Sequence, residues 1–210
     1  SAASAVAYMA AIRKGRELAT RSQWSMPKLI FSCVLVVGCV GVVLPDITGL
    51  GLTQVNQMID AQFTLGMLVI LLAAKIFVTA YCLNTGFFGG VFGPALFVGA
   101  ATGAIAAYLA VMMGLAPHLS YALPVAAIAA VGGAVIGAPL AVIMIVIELT
   151  GSYAYGLSAM LCVILCSVLT LRLFGLSYFD RQLLDRGIDL RLGQEHVELS
   201  LTPVSEIQGG

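Results

Sequence analysis

The chain has 210 residues, 60% of them hydrophobic and 10% charged, with ten basic and ten acidic side chains. An ordinary soluble domain carries roughly 25% charged residues, so this composition excludes a disordered chain, a secreted disulfide scaffold and a nucleic-acid-binding domain. The charges are also segregated. Between residues 29 and 179 only Asp46, Asp60, Lys75, Glu148 and Arg172 carry one, which is the pattern of an all-α, multi-pass integral membrane protein with two polar ends.

In chain order, residues 1–23 read as the end of a preceding helix followed by a basic loop with Arg13, Lys14, Arg16 and Arg21. The chain starts at Ser1 in mid-pattern with no signal segment, so it is expected to be a piece of a longer protein. Apolar runs follow at 29–44, 65–83, 91–115, 123–149 and 157–174. A helix needs about 20 apolar residues to cross a bilayer, and the runs lack the alternation of barrel strands. The first stops at Pro45. The third contains Pro94 near its start, and the fourth is interrupted by Gly132-Gly133 and by Gly137-Ala138-Pro139. Residues 180–210 hold three Arg and six acidic residues. They read as a short exit helix and a linker.

Positive residues set orientation. Arg13, Lys14, Arg16, Arg21 and Lys28 precede the first run, and Arg172, Arg181, Arg186 and Arg191 end or follow the last. The loop at 45–64 has Asp46 and Asp60 and no basic residue. Both flanks therefore read as cytoplasmic and this loop as external. Two cytoplasmic ends require an even number of crossings, so with five runs at least one turns back inside the membrane. The fourth is the best candidate, because Gly137-Ala138-Pro139 divides it into two half-helices. Broken helices of this kind point to a transport site.

The stretch Asn84-Thr85-Gly86-Phe87-Phe88-Gly89-Gly90-Val91-Phe92-Gly93-Pro94 separates two apolar runs. Its glycines let the backbone turn, and proline is tolerated in a first helical turn. A helix starting near Val91 presents free N–H groups and the positive end of its dipole, both of which favour an anion. Such donors bind without a full positive charge, and so leave the ion free to depart. Close helix packing is an equally good account of the same glycines on pattern alone.

Gly90-Val91-Phe92-Gly93-Pro94 resembles the GxFxP motif of the CLC family of chloride channels and chloride/proton exchangers. Leu65-Gly66-Met67 through Cys82 resembles the helix that precedes that motif. Gly137-Ala138-Pro139-Leu140, followed by Glu148-Leu149-Thr150, is similar to the family's APL…E-[LM]-T segment. The resemblance covers roughly Trp24 to Gly187, with residues 24–179 as its transmembrane part. It implies the C-terminal transmembrane repeat of an inverted-repeat fold with re-entrant helices, working as a homodimer together with an N-terminal half of the same polypeptide. It also implies chloride as the ligand, with no cofactor and no enzymatic activity, in either a voltage-gated channel or an antiporter. By position, the chloride-binding backbone is Gly90, Val91, Phe92 and Gly93. The family places a tyrosine near the central ion. The matching position here is Phe179, with Tyr178 one residue away, so one hydrogen-bond donor is expected to be missing. The family's gating glutamate segment belongs to the other half. Gly15-Arg16-Glu17-Leu18 imitates it but lacks the following Gly-Pro.

The remaining polar residues have plainer readings. Glu148 sits at the end of its run, where a carboxylate reaches water, so a structural role outweighs a proton relay. Lys75 is deeper, and pairing or snorkelling accounts for it better than direct contact with an ion. Cys33, Cys39, Cys82, Cys162 and Cys166 all lie in apolar runs and read as packing residues. His118 and His196 have no metal-ligand spacing. Gly99, Gly103 and Ala107 form a small-residue face that signals helix packing. Two other readings stay open: a cation-coupled transporter with discontinuous helices, and a structural fragment inactive by itself.

Overall fold

With few charged or turn-forming residues to interrupt them, the apolar runs become helices that end where glycine and proline fall. The computed structural model describes residues 1–21, 25–85, 89–115, 119–150, 153–175 and 177. The elements are α1 (Ala2–Arg21), α2 (Met26–Val43), a 3-10 turn (Pro45–Ile47), α3 (Leu52–Ile59), α4 (Leu65–Asn84), α5 (Phe92–Met112), α6 (Leu119–Ile136), α7 (Pro139–Thr150) and α8 (Tyr153–Phe174). Four segments are long and apolar enough to cross a membrane: Met26–Val43, Leu65–Asn84, Phe92–Met112 and Gly156–Leu173. The protein is an integral membrane protein, and the outward faces of these helices fit that setting. On α2, Phe31, Val34 and Val42 are all exposed, as apolar side chains are where lipid rather than water surrounds them.

The long fourth run does divide. Gly137 has φ +80°, and its N–H donates to the Gly133 carbonyl at 2.9 Å. A left-handed residue just past a helix end is the usual glycine stop. Ala138 follows, and Pro139 opens α7 in the first helical position, where its missing N–H costs nothing. The result is α6 of 18 residues followed by α7 of 12.

Two expectations are corrected. Residues 13–21, read as a basic loop, continue α1 as helix. The reason is a stripe the basic residues obscure: Ala5, Tyr8, Met9 and Ile12, at i, i+3, i+4 and i+7, are all buried, while Arg13, Lys14 and Arg16 are exposed. That apolar face packs into a core shared by α4, α5, α6 and α8, with Ala80, Val98, Val131 and Cys166 around it. Packing of such a face, rather than intrinsic propensity, stabilises a helix of this length. The second concerns residues 45–64, read as a loop, which are structured over much of their length by the 3-10 turn and α3. Gly51, with φ +73°, starts α3, and a Cβ there would lie 2.6 Å from Phe97 Cδ2. Only glycine lets the chain enter α3 while lying against the Phe97 ring. Ile47, Met58 and Phe97 then share a second core with Leu68, Leu71 and Ala101.

The closest helix pair is α5 with α6. A Cβ on Gly99 would stand 2.7 Å from the Ala127 carbonyl oxygen, and one on Gly103 2.6 Å from the Leu123 oxygen. The small-residue face therefore works as packing, with backbone approaching backbone. A third core joins α6, α7 and α8 through Ala129, Val142, Val146, Ala159 and Val163.

Candidate functional site

The glycine-rich break lies between the end of α4 and the start of α5, and side chains on both sides of it hold it in place. At the end of α4, the hydroxyl of buried Thr85 is shared between the Tyr81 and Cys82 carbonyls at 3.0 and 3.1 Å. The same carbonyls accept from the Thr85 N–H, so the side chain reinforces the helix end. Asn84 Nδ2 donates to the Ile12 carbonyl of α1 at 2.9 Å, an approach helped by Gly15, whose Cβ would collide with the Asn84 amide. On the far side, buried Tyr8 donates its hydroxyl to the Val91 carbonyl at 3.1 Å. One helix, α1, thus anchors the chain immediately before and after the break. Neither Tyr8 nor Asn84 is evident as a site residue in the sequence. The only signal is that Tyr8 belongs to the buried α1 stripe.

Val91 caps α5, with φ −80° and ψ −24°. The Ala95 N–H donates back to the Val91 carbonyl at 3.1 Å, and Pro94 has no N–H. Helix geometry leaves the Phe92 and Gly93 N–H groups ahead of the first helical hydrogen bond. They stand at the positive end of a 21-residue helix that has no acidic residue in its first turn. Among the described residues, Gly90, Val91, Phe92 and Gly93 come together at this helix start. Gly89 and Gly90 are exposed, and Val91 is buried. Gly86, Phe87, Phe88, Tyr178 and Phe179 lie outside the described residues.

Beside the break is a cavity of about 250 Å³ lined by Lys75, Thr79, Cys82, Gly89, Gly90 and Pro94, among others. Lys75 lies on its wall but is already engaged. Its Nζ donates to the Ile47 and Gly49 carbonyls, both at 2.8 Å, and stands 4.8 Å from the centroid of the Phe97 ring. The lysine is 3% exposed. It clamps the 45–49 turn onto α4, in line with the pairing reading of the sequence. Glu148 is exposed on α7, so it is not an acid enclosed within the helix bundle. The five cysteines are free thiols, and among the described residues no three His, Cys, Asp or Glu side chains gather as metal ligands.

Apolar helices long enough to span a membrane, one of them preceded by a Gly-rich break and another apolar run divided by Gly and Pro, define a polytopic membrane protein. The chain belongs to the voltage gated chloride channel family, whose model matches residues 1–171. It is 32% identical over 68 residues to the H(+)/Cl(-) exchange transporter ClcA of Vibrio cholerae, covering 31% of this chain and 14% of that protein. It is 34% identical over 85 residues to the chloride channel protein CLC-e of Arabidopsis thaliana, covering 37% and 12%. It is also 30% identical over 93 residues to an uncharacterized protein of Methanocaldococcus jannaschii, covering 41% and 24%. The matched stretch spans about a quarter or less of each of these relatives.

Proposed function

We propose that the chain forms the C-terminal transmembrane repeat of a chloride-transporting protein, and that the start of α5 supplies backbone donors to the anion. The observation that carries this is the α5 N-terminus in a chain of this family. Free N–H groups of Phe92 and Gly93 follow an exposed glycine pair, with no ionised side chain between Asn84 and Pro94. Amides oriented by a helix dipole replace part of the ion's hydration shell. They also hold it weakly enough for it to leave. An N-terminal half of the same polypeptide supplies the facing wall, and subunits pair as homodimers. Both ends of this stretch face the cytoplasm. The relatives include an exchange transporter and a channel by name, and both mechanisms are compatible with this half.

The test removes a donor without changing a side chain. In the full-length protein, replacing the Phe92 amide by an ester is expected to weaken chloride binding by roughly 10- to 100-fold, the range for losing one hydrogen bond to a charged group. Calorimetric titration and liposome flux read the result. Unchanged affinity together with unchanged flux overturns the assignment.

A second expectation concerns Phe179. If this position faces the ion, Phe179→Tyr adds one hydroxyl donor and tightens chloride binding by about 2- to 10-fold. Tyr178→Phe, measured in the same titration, leaves affinity unaltered. The reverse pattern assigns the role to Tyr178.

A further inference from the structure

The α6–α7 break creates a second polar location that the anion site does not use. A cavity of about 180 Å³ lies there, lined by Gly133, Ala134, Gly137 and Pro139 from the break, Ser167 and Thr170 from α8, and Ser177 beyond it. Among the described residues, the hydroxyl oxygens of Ser167 and Thr170 are both buried and make no hydrogen bond of good geometry. Thr170 is 1% exposed. Its position is unlike that of Thr102 on α5, whose hydroxyl donates to its own helix at the Val98 carbonyl, 2.7 Å away. Leaving a buried hydroxyl unpaired costs about 1–3 kcal/mol, and native proteins rarely accept that cost twice in one place.

The donor set says what kind of ligand fits. The carbonyls of the last turn of α6 lie past its helical hydrogen bonds, and that of Gly133 accepts from the Gly137 N–H. These carbonyls are the negative end of a helix dipole and disfavour an anion. Pro139 opens α7 without an N–H to offset them. No carboxylate is among the described lining residues, so a cation has no counter-charge among them. Hydroxyls that both donate and accept, beside carbonyls that only accept, suit a small neutral molecule with both capacities. One water takes about 30 Å³ of liquid volume, and a polar cavity with two to four partners retains it.

We propose that the α6–α7 break is a water-binding site. A hydrogen-bonded cluster of waters is held by Ser167, Thr170 and carbonyls at the end of α6, and it enters past exposed Gly137. The cluster satisfies the non-helical backbone inside the membrane domain, which survives only where protein or water meets its polar groups. Water here also touches Ser177, the residue immediately before Tyr178 in the sequence. The proposal is independent of the chloride assignment.

The test uses Thr170→Val, which keeps the shape of the side chain, in the full-length protein. If the hydroxyl bonds water, its loss lowers the melting temperature by about 2–4 °C. Thr102→Val, measured alongside, gives a smaller change. If the hydroxyl is dry and orphaned, Thr170→Val leaves the melting temperature unchanged or raises it, and the proposal fails. Should that variant not fold, Ser167→Ala provides the same comparison. A high-resolution map of the unaltered protein is expected to show discrete density within hydrogen-bond distance of Thr170 Oγ1. Density there that is continuous with a side chain or a lipid tail also overturns the proposal.

Discussion

Gly103→Ala is expected to lower stability by at least about 3 kcal/mol, and for many preparations to prevent recovery of folded protein. The added Cβ would sit 2.6 Å from the Leu123 oxygen and 2.8 Å from Ala127 Cβ. Overpacking a core usually costs about 1–3 kcal/mol. That range assumes neighbours that can rotate away, and here the nearest neighbours include α6 backbone. Relief requires moving α6 as a body, which also disturbs the cores it shares with α1 and with α7 and α8. Thermal melting and monodispersity in detergent read the effect. Gly38→Ala is the comparison, because a Cβ at Gly38 meets nothing within 4 Å. Alanine favours a helix by about 1 kcal/mol over glycine, so Gly38→Ala is expected to be neutral or stabilising. Equal melting temperatures for the two variants would mean that α5 and α6 do not approach this closely.

Lys75→Met is expected to destabilise the protein by at least about 3 kcal/mol, the second large effect. Each hydrogen bond from a charged donor contributes about 1.5–3 kcal/mol, and Lys75 makes two, to the Ile47 and Gly49 carbonyls. Its position against the Phe97 ring adds about 0.5–2 kcal/mol. Methionine fills the volume but leaves both carbonyls without this donor. The 45–49 turn would loosen from α4, and with it the wall of the cavity beside the break. The fraction that remains folded is expected to bind chloride within about threefold of the parent, since each 1.4 kcal/mol is tenfold and Lys75 points its ammonium at carbonyls. A variant with an unchanged melting temperature and much weaker chloride binding would reverse this assignment and make Lys75 an anion ligand.

The sequence displays the helices that face lipid most clearly, because an outward face needs only to be apolar. The bounds of α2 and α4 fall within a few residues of the runs that predict them. The split of the fourth run was also legible, since Gly137 and Pro139 act locally on the backbone. What was hidden depends on the partner. The start of the chain reads as the end of a helix, but how far α1 runs and which face it buries depend on α4, α5, α6 and α8, which supply the surface it packs on. The same is true of α3, a helix of 8 residues that isolated propensity would not sustain. At the candidate site, the motif located the donors, because those donors are backbone and need no side-chain signature. It did not reveal what fixes them. Tyr8 and Asn84 act across 83 and 72 residues of sequence, a separation no local pattern encodes.

That separation bears on how the protein is made. The break between α4 and α5 is pinned by α1, and α1 also packs against α6 and α8. Helices enter the membrane in order, but this pin closes only when α1 meets α4 and α5, which are synthesised after it. Long-range closure of this kind is slow compared with forming the helices themselves. The helix-end donors are therefore set only after α5 has been made and α1 has docked against it. A nascent chain halted before α5 is complete would hold the glycine-rich motif without yet holding its geometry.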